Sequence, residues 1–88
     1  MRIDKYLKLS RVIKRRTIAK DVLDAGLIKI NDKVAKPSTE VNIDDILVLT
    51  LGERILTIKI TQVLSSPGKK DASTMFEIIN DEVIKSSF

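Results

Sequence analysis

The chain has 88 residues with no cysteine and no histidine, which excludes disulfides, thiolate metal sites and the commonest general base. Sixteen Lys and Arg face twelve Asp and Glu for a net charge of +4, but residues 1–20 hold eight of the cations and one acid, a local +7 that leaves the remainder at −3. No signal-peptide pattern or membrane-length apolar run is present, so the expectation is one small cytoplasmic domain that avoids membranes.

Asp4 is placed to cap a short first helix that turns Ile3, Leu7 and Tyr6 inward. A break near Ser10 and Arg11 leads to a second helix over Arg15 to Ala25, where Ile18 pairs with Val22 and Ala19 with Leu23 at i,i+4. Gly26 supplies the left-handed residue that ends a helix. The apolar period then changes to two. Strands over Leu27 to Ile30 and Lys33 to Ala35 flank an Asn31-Asp32 turn, and Pro37-Ser38 marks an irregular crossing. Ile46 to Leu51 and Ile55 to Val63 form a hairpin through Gly52-Glu53-Arg54, with Leu56, Ile58 and Ile60 on the buried side. Ser65-Ser66-Pro67-Gly68 is a turn or linker. After it, Phe76, Ile79 and Val83 recur at helical spacing and predict a C-terminal helix from Asp71 or Ser73, with a short strand through Met75 to Ile79 as the alternative. The fold class is α+β: two N-terminal helices on a small, mainly antiparallel sheet. The domain division expected is 1–63, with 64–88 as a short extension packed on it or trailing from it.

The cations of residues 1–20 alternate with apolar residues at helical spacing, so folded helices hold them on a fixed surface. Such a surface suits a phosphate backbone. Lys14, Arg15 and Arg16 open the second helix, where positive charge opposes the helix dipole. Bound phosphate would account for that placement, and the Arg16 guanidinium can grip phosphate through two hydrogen bonds. Arg2 and Lys5 flank the start of the first helix and are candidate RNA contacts. Lys8, Arg11 and Lys20 fit either RNA contact or a solvated basic face. Asp4 suits a cap or an orienting partner for a nearby Arg. Tyr6 could stack on an unpaired base, although packing is the more ordinary role for an aromatic on a short amphipathic helix. Catalysis finds no support: Asp44-Asp45 are adjacent and point apart, Asp81-Glu82 lie in an exposed tail, and three scattered glycines make no phosphate loop. No enzyme activity, cofactor or metal is expected.

Arg2-Ile3-Asp4-Lys5, Leu7, Arg11, Arg16, Ala19, Gly26, Ile30-Asn31, Lys36-Pro37-Ser38, Val41 and Asp45 together resemble the S4 RNA-binding domain over roughly residues 1 to 51. The free-standing form, with the run Ile13-Lys14-Arg15-Arg16-Thr17, looks most like the ribosome-associated quality control factor P family. The S4 fold is what this resemblance implies. It also implies binding to obstructed large ribosomal subunits, contacting 23S ribosomal RNA and peptidyl-tRNA, and help for a partner factor that adds a C-terminal alanine tail. It adds Thr17, Asn31, Lys36 and Ser38 to the candidate contacts, with turn geometry an equal explanation for Asn31; the expected state is a monomer. The chain departs from the family pattern at Arg15, where Ser is usual, and at Asp32 and Asp44, where Gly is usual. The alternatives are a heat-shock-type S4 protein acting in subunit recycling, a DNA-binding helix-turn-helix-like module, or an interaction protein for an acidic partner or anionic surface.

Overall fold

The computed structural model describes residues 1–68 and 70–84. Its first helix, α1 (Ile3–Leu9), buries Ile3, Tyr6 and Leu7 completely, as their spacing requires. Arg2 takes the N-cap position and offers no side-chain cap. Asp4 instead sits inside the first turn, where its Oδ1 accepts a 2.8 Å bond from the Lys5 amide. Ser10 ends α1, and its hydroxyl donates to the Leu7 carbonyl. Arg11 then adopts a left-handed conformation, φ 61°, which swings the chain toward the second helix.

That helix, α2 (Arg16–Asp24), buries Ala19 and Leu23 and leaves Val22 half-buried. Ile18, expected inward, is exposed, because the narrow buried stripe of this nine-residue helix runs through Ala19 and Leu23. The helix closes in a Schellman motif: Leu27 N–H bonds Val22 O, Gly26 N–H bonds Leu23 O, and Gly26 has φ 74°.

Five antiparallel strands follow: β1 (Ile28–Ile30), β2 (Lys33–Val34), β3 (Ile46–Leu51), β4 (Arg54–Ile60) and β5 (Phe76–Val83), in spatial order β2-β1-β3-β4-β5. Asn31 and Asp32 both carry positive φ, 48° and 69°, as a type I′ turn between β1 and β2 requires. Gly52, φ 61°, is the first residue of the two-residue β3–β4 turn. Leu47, Leu49, Leu56, Ile58 and Ile60 face the helices and complete one aliphatic core with Ile3, Tyr6, Leu7, Ala19 and Leu23. The architecture is the α+β arrangement the sequence predicts.

The C-terminal helix is not found among the described residues; the alternative, a strand beginning near Met75, is, and it runs on to Val83. Residues 72–74 form a single 3₁₀ turn, and the chain then joins the free edge of β4 as a strand. Phe76 is half-buried, while Ile79 and Val83 are exposed and not core. The helical spacing misleads because a β-bulge opposite Thr57/Ile58 inserts Ile79 as an extra residue and breaks the two-residue alternation. An open strand edge and consecutive β-branched residues at 78 and 79 decide the outcome against helix.

The long β2–β3 connection is stitched to the amino terminus. Arg2 bridges Glu40, Ile3 N–H bonds Thr39 O at 2.7 Å, and Val41 N–H bonds Met1 O at 2.9 Å. These bonds bring the Lys36-Pro37-Ser38 loop beside the start of α1.

Candidate nucleic-acid interface

A single buried carboxylate organises the cationic end. Asp4 is almost fully buried, and its Oδ2 lies 3.2 Å from Arg2 Nη2 and 3.5 Å from Arg16 Nη2. Both arginine side chains remain about half exposed. The carboxylate therefore fixes the direction of two guanidinium groups, one from each helix, without enclosing either. Oriented guanidinium forks lose less freedom when they grip a phosphate or carboxylate than free ones do.

α2 begins without a capping side chain and without an acid in its first turn. Its unsatisfied N–H groups and the exposed Lys14, Arg15 and Arg16 thus present positive charge in one place. Thr17 and Lys20 are exposed on the same helix, Lys5 and Lys8 on α1, and Arg11 on the turn between them. Among the described residues, the ion pairs made by the cations of residues 1–20 both converge on Asp4. No ion pair among the described residues neutralises the rest of that charge.

Two concave surfaces adjoin these groups. One, of about 420 Å³, is lined by Arg2 and Lys36 with Leu23, Val34, Pro37 and Ser38 among its walls. It brings Lys36 and Ser38 to the side of Arg2, with Asp24 on the same wall. The other, of about 340 Å³, is lined by Lys8, Arg11 and Lys14 together with Leu9, Pro67 and Gly68. Pro67 and Gly68 read as a plain turn in the sequence, and no local pattern links them to a cationic groove 53 or more residues earlier.

Asn31 stands apart from this cluster. Its amide donates to Asp45 Oδ1 at 3.0 Å and its carbonyl accepts from the Ile46 amide at 3.0 Å, while Asp45 Oδ2 takes the Asn42 amide. Both ends of the side chain are engaged in holding the turn to β3. Tyr6 is fully buried, and base stacking is closed to it.

The arrangement is an exposed set of positive groups on two helices and a loop, with two oriented arginines at its centre. The S4 domain family matches residues 1–47. The chain is 46% identical over 87 residues to the RQC P-site tRNA stabilizing factor of Halalkalibacterium halodurans, and 44% identical over 87 residues to that of Streptococcus pneumoniae. Both alignments cover 99% of this chain and 99% of the relative. The chain belongs to this S4-domain family. In the solved trimeric structure of Vibrio cholerae Heat Shock Protein 15, the fold superposes with a TM-score of 0.80 at 29% identity, covering 89% of this chain and 80% of that one. The likeness expected over residues 1 to 51 thus extends to nearly the full length of these relatives.

Proposed function

We propose that this chain is a non-catalytic, cytoplasmic, monomeric factor that binds an obstructed large ribosomal subunit. It holds peptidyl-tRNA and 23S ribosomal RNA while a partner factor adds a C-terminal alanine tail. The observation that carries the reading is Asp4 orienting Arg2 and Arg16 outward within an otherwise unneutralised +7 segment. The relatives' name supplies the ligand, a P-site tRNA.

The direct contacts proposed are Arg2, Lys5, Lys8, Arg11, Lys14, Arg15, Arg16, Thr17, Lys20 and Lys36, with Asp4 as their organiser. Engaging about six phosphates gives micromolar attachment to generic RNA and a log–log salt slope of about −4 to −5. Selectivity for one ribosomal state then comes from several weak contacts made at once, to tRNA and to ribosomal RNA. The molecule's long dimension of 44 Å suits a bridge between two such surfaces. The fold likeness to Heat Shock Protein 15 favours subunit recycling as a second reading, and the higher identity to the tRNA stabilizing factors weighs against it.

Sedimentation tests the proposal. The protein should co-migrate with large subunits carrying peptidyl-tRNA at low salt and be released by ribonuclease. Arg16→Ala should weaken this association about tenfold or more, while Lys59→Ala, which removes a sheet-face cation paired with Asp44 at 3.4 Å, should leave it intact. Equal loss in both variants, or a preference for duplex DNA in competition, overturns the reading.

A further inference from the structure

RNA binding leaves one edge of the sheet unused. β5 is one of the two edge strands and, at eight residues, the longest strand; among the described residues nothing pairs with its outer side. Its backbone is therefore open to another strand.

Register sorts its side chains onto two faces. Phe76, Ile78 and Asp81 lie opposite Ile60, Ile58 and Leu56, on the helix-bearing side, and Val83 lies opposite Arg54. Glu77, Asn80 and Glu82 lie opposite Lys59, Thr57 and Ile55, on the other side. The inner bonds are anchored at each end: Ile84 N–H bonds Glu53 O, and Thr61 N–H bonds Met75 O. Antiparallel alternation from those anchors turns the main-chain groups of Ile78, Asp81 and Val83 outward. Ile78 and Val83 are 52% and 62% exposed. Asp81 is held by Arg54 through two bonds of 2.7 and 2.6 Å, so Glu77 and Glu82 are the acids that face an incomer. The strand contains three acids and no cation.

We propose that the outer edge of β5 accepts an extended, cationic polypeptide segment as a sixth strand. Its apolar residues pack on Ile78 and Val83, and its Lys or Arg residues meet Glu77 and Glu82. Main-chain bonding supplies affinity and the alternating faces supply selectivity, the general mode of strand addition. Charge chooses the occupant. A polyanion is repelled by this edge, and a second copy pairing through β5 would bring its acidic side chains against one another, which is unfavourable across a ladder.

A fluorescent decapeptide alternating Val and Lys tests the proposal, with matched peptides alternating Ser and Lys, and Val and Glu. Titrated into the full chain, the Val–Lys peptide should bind best. Amide exchange at Ile78, Asp81 and Val83 should slow on saturation, while exchange at inward-bonded Asn80 stays unchanged. The double variant E77Q/E82Q should lose about fivefold in affinity for the peptide while keeping its affinity for RNA, so failure here is separable from failure of the RNA reading. Three outcomes overturn the proposal. Equal binding of Ser–Lys and Val–Lys without slowed amides marks simple charge attraction. No peptide binding marks an edge whose charges only keep strands away. Slowing that grows with protein concentration alone marks a second copy.

Discussion

The phenol of Tyr6 donates a 2.7 Å hydrogen bond to the main-chain carbonyl of Met75, joining the middle of α1 to the start of β5. The helix that carries part of the cationic face is thereby tied to the strand that ends the sheet. The same carbonyl also accepts from the amides of Thr61 and Gln62.

Because Met75 O keeps those two donors, Tyr6→Phe removes one hydrogen bond without orphaning its acceptor. The expected cost is about 0.5–1.5 kcal/mol in urea unfolding, with RNA affinity unchanged. A larger loss would mean that the hydroxyl orders the β4–β5 junction as a whole.

Burial pushes the Tyr6 phenol well above its ordinary value near 10. A raised acid contributes its full stability while both states are neutral, and loses it once the unfolded chain ionises first. Stability should therefore hold below about pH 10 and then fall by up to about 1.4 kcal/mol per pH unit. Tyr6 is the only tyrosine and there is no tryptophan, so tyrosinate absorbance reports this one group. Its appearance should coincide with unfolding, and Tyr6→Phe should flatten the alkaline decline. Ionisation near pH 10 with the fold intact would contradict the burial.

Asp4 and Arg16 should separate positioning from contact. Asp4→Ala removes the Lys5 amide bond and frees both guanidinium groups, costing about 1.5–3 kcal/mol in stability and a modest part of RNA affinity. Arg16→Ala should barely alter stability, weaken RNA binding more, and make the log–log salt slope shallower by about 1. Asp4→Arg should damage binding beyond Asp4→Ala. Salt titration of RNA binding, beside thermal melting, distinguishes the three.

Left-handed positions provide a stability test. Gly26 at φ 74° should tolerate valine poorly, at a cost of about 1–3 kcal/mol, although its nearest neighbour leaves room for a Cβ. Asp32, at φ 69°, occupies a left-handed position that glycine adopts without steric cost. Asp32→Gly should gain about 0.5 kcal/mol by relieving that conformation. Chemical denaturation of the two variants checks both signs.

Much of this fold is legible locally. Ile3, Tyr6 and Leu7 announce their shared face by spacing, and Gly26 announces the helix end. The paired positive φ values at Asn31 and Asp32 follow from residue types that tolerate them. β5 was legible only as the alternative, a short strand through Met75 to Ile79, because its preference over helix and its extension to Val83 depend on a vacant edge of β4 and on a bulge that no short window reveals. The site divides the same way. The density of cations is plain in residues 1–20, and so is Arg16 at a helix start. That Asp4 serves two arginines at once, and that Pro67 and Gly68 wall a groove with Lys8, Arg11 and Lys14, arises only from tertiary packing.

The clasp between Asn31, Asp45 and Ile46 bears on how this protein ages. Hydrolysis of the Asn31 amide would replace a donor with a second carboxylate 3.0 Å from Asp45, converting an attraction into repulsion at the β1–β2 turn. Yet the same bonds pin both ends of the side-chain amide, and so restrict the motion that deamidation needs to bring its carbonyl carbon onto the main-chain nitrogen of Asp32. The native turn therefore restrains the side chain whose hydrolysis would undo it, and that restraint lapses whenever the sheet opens.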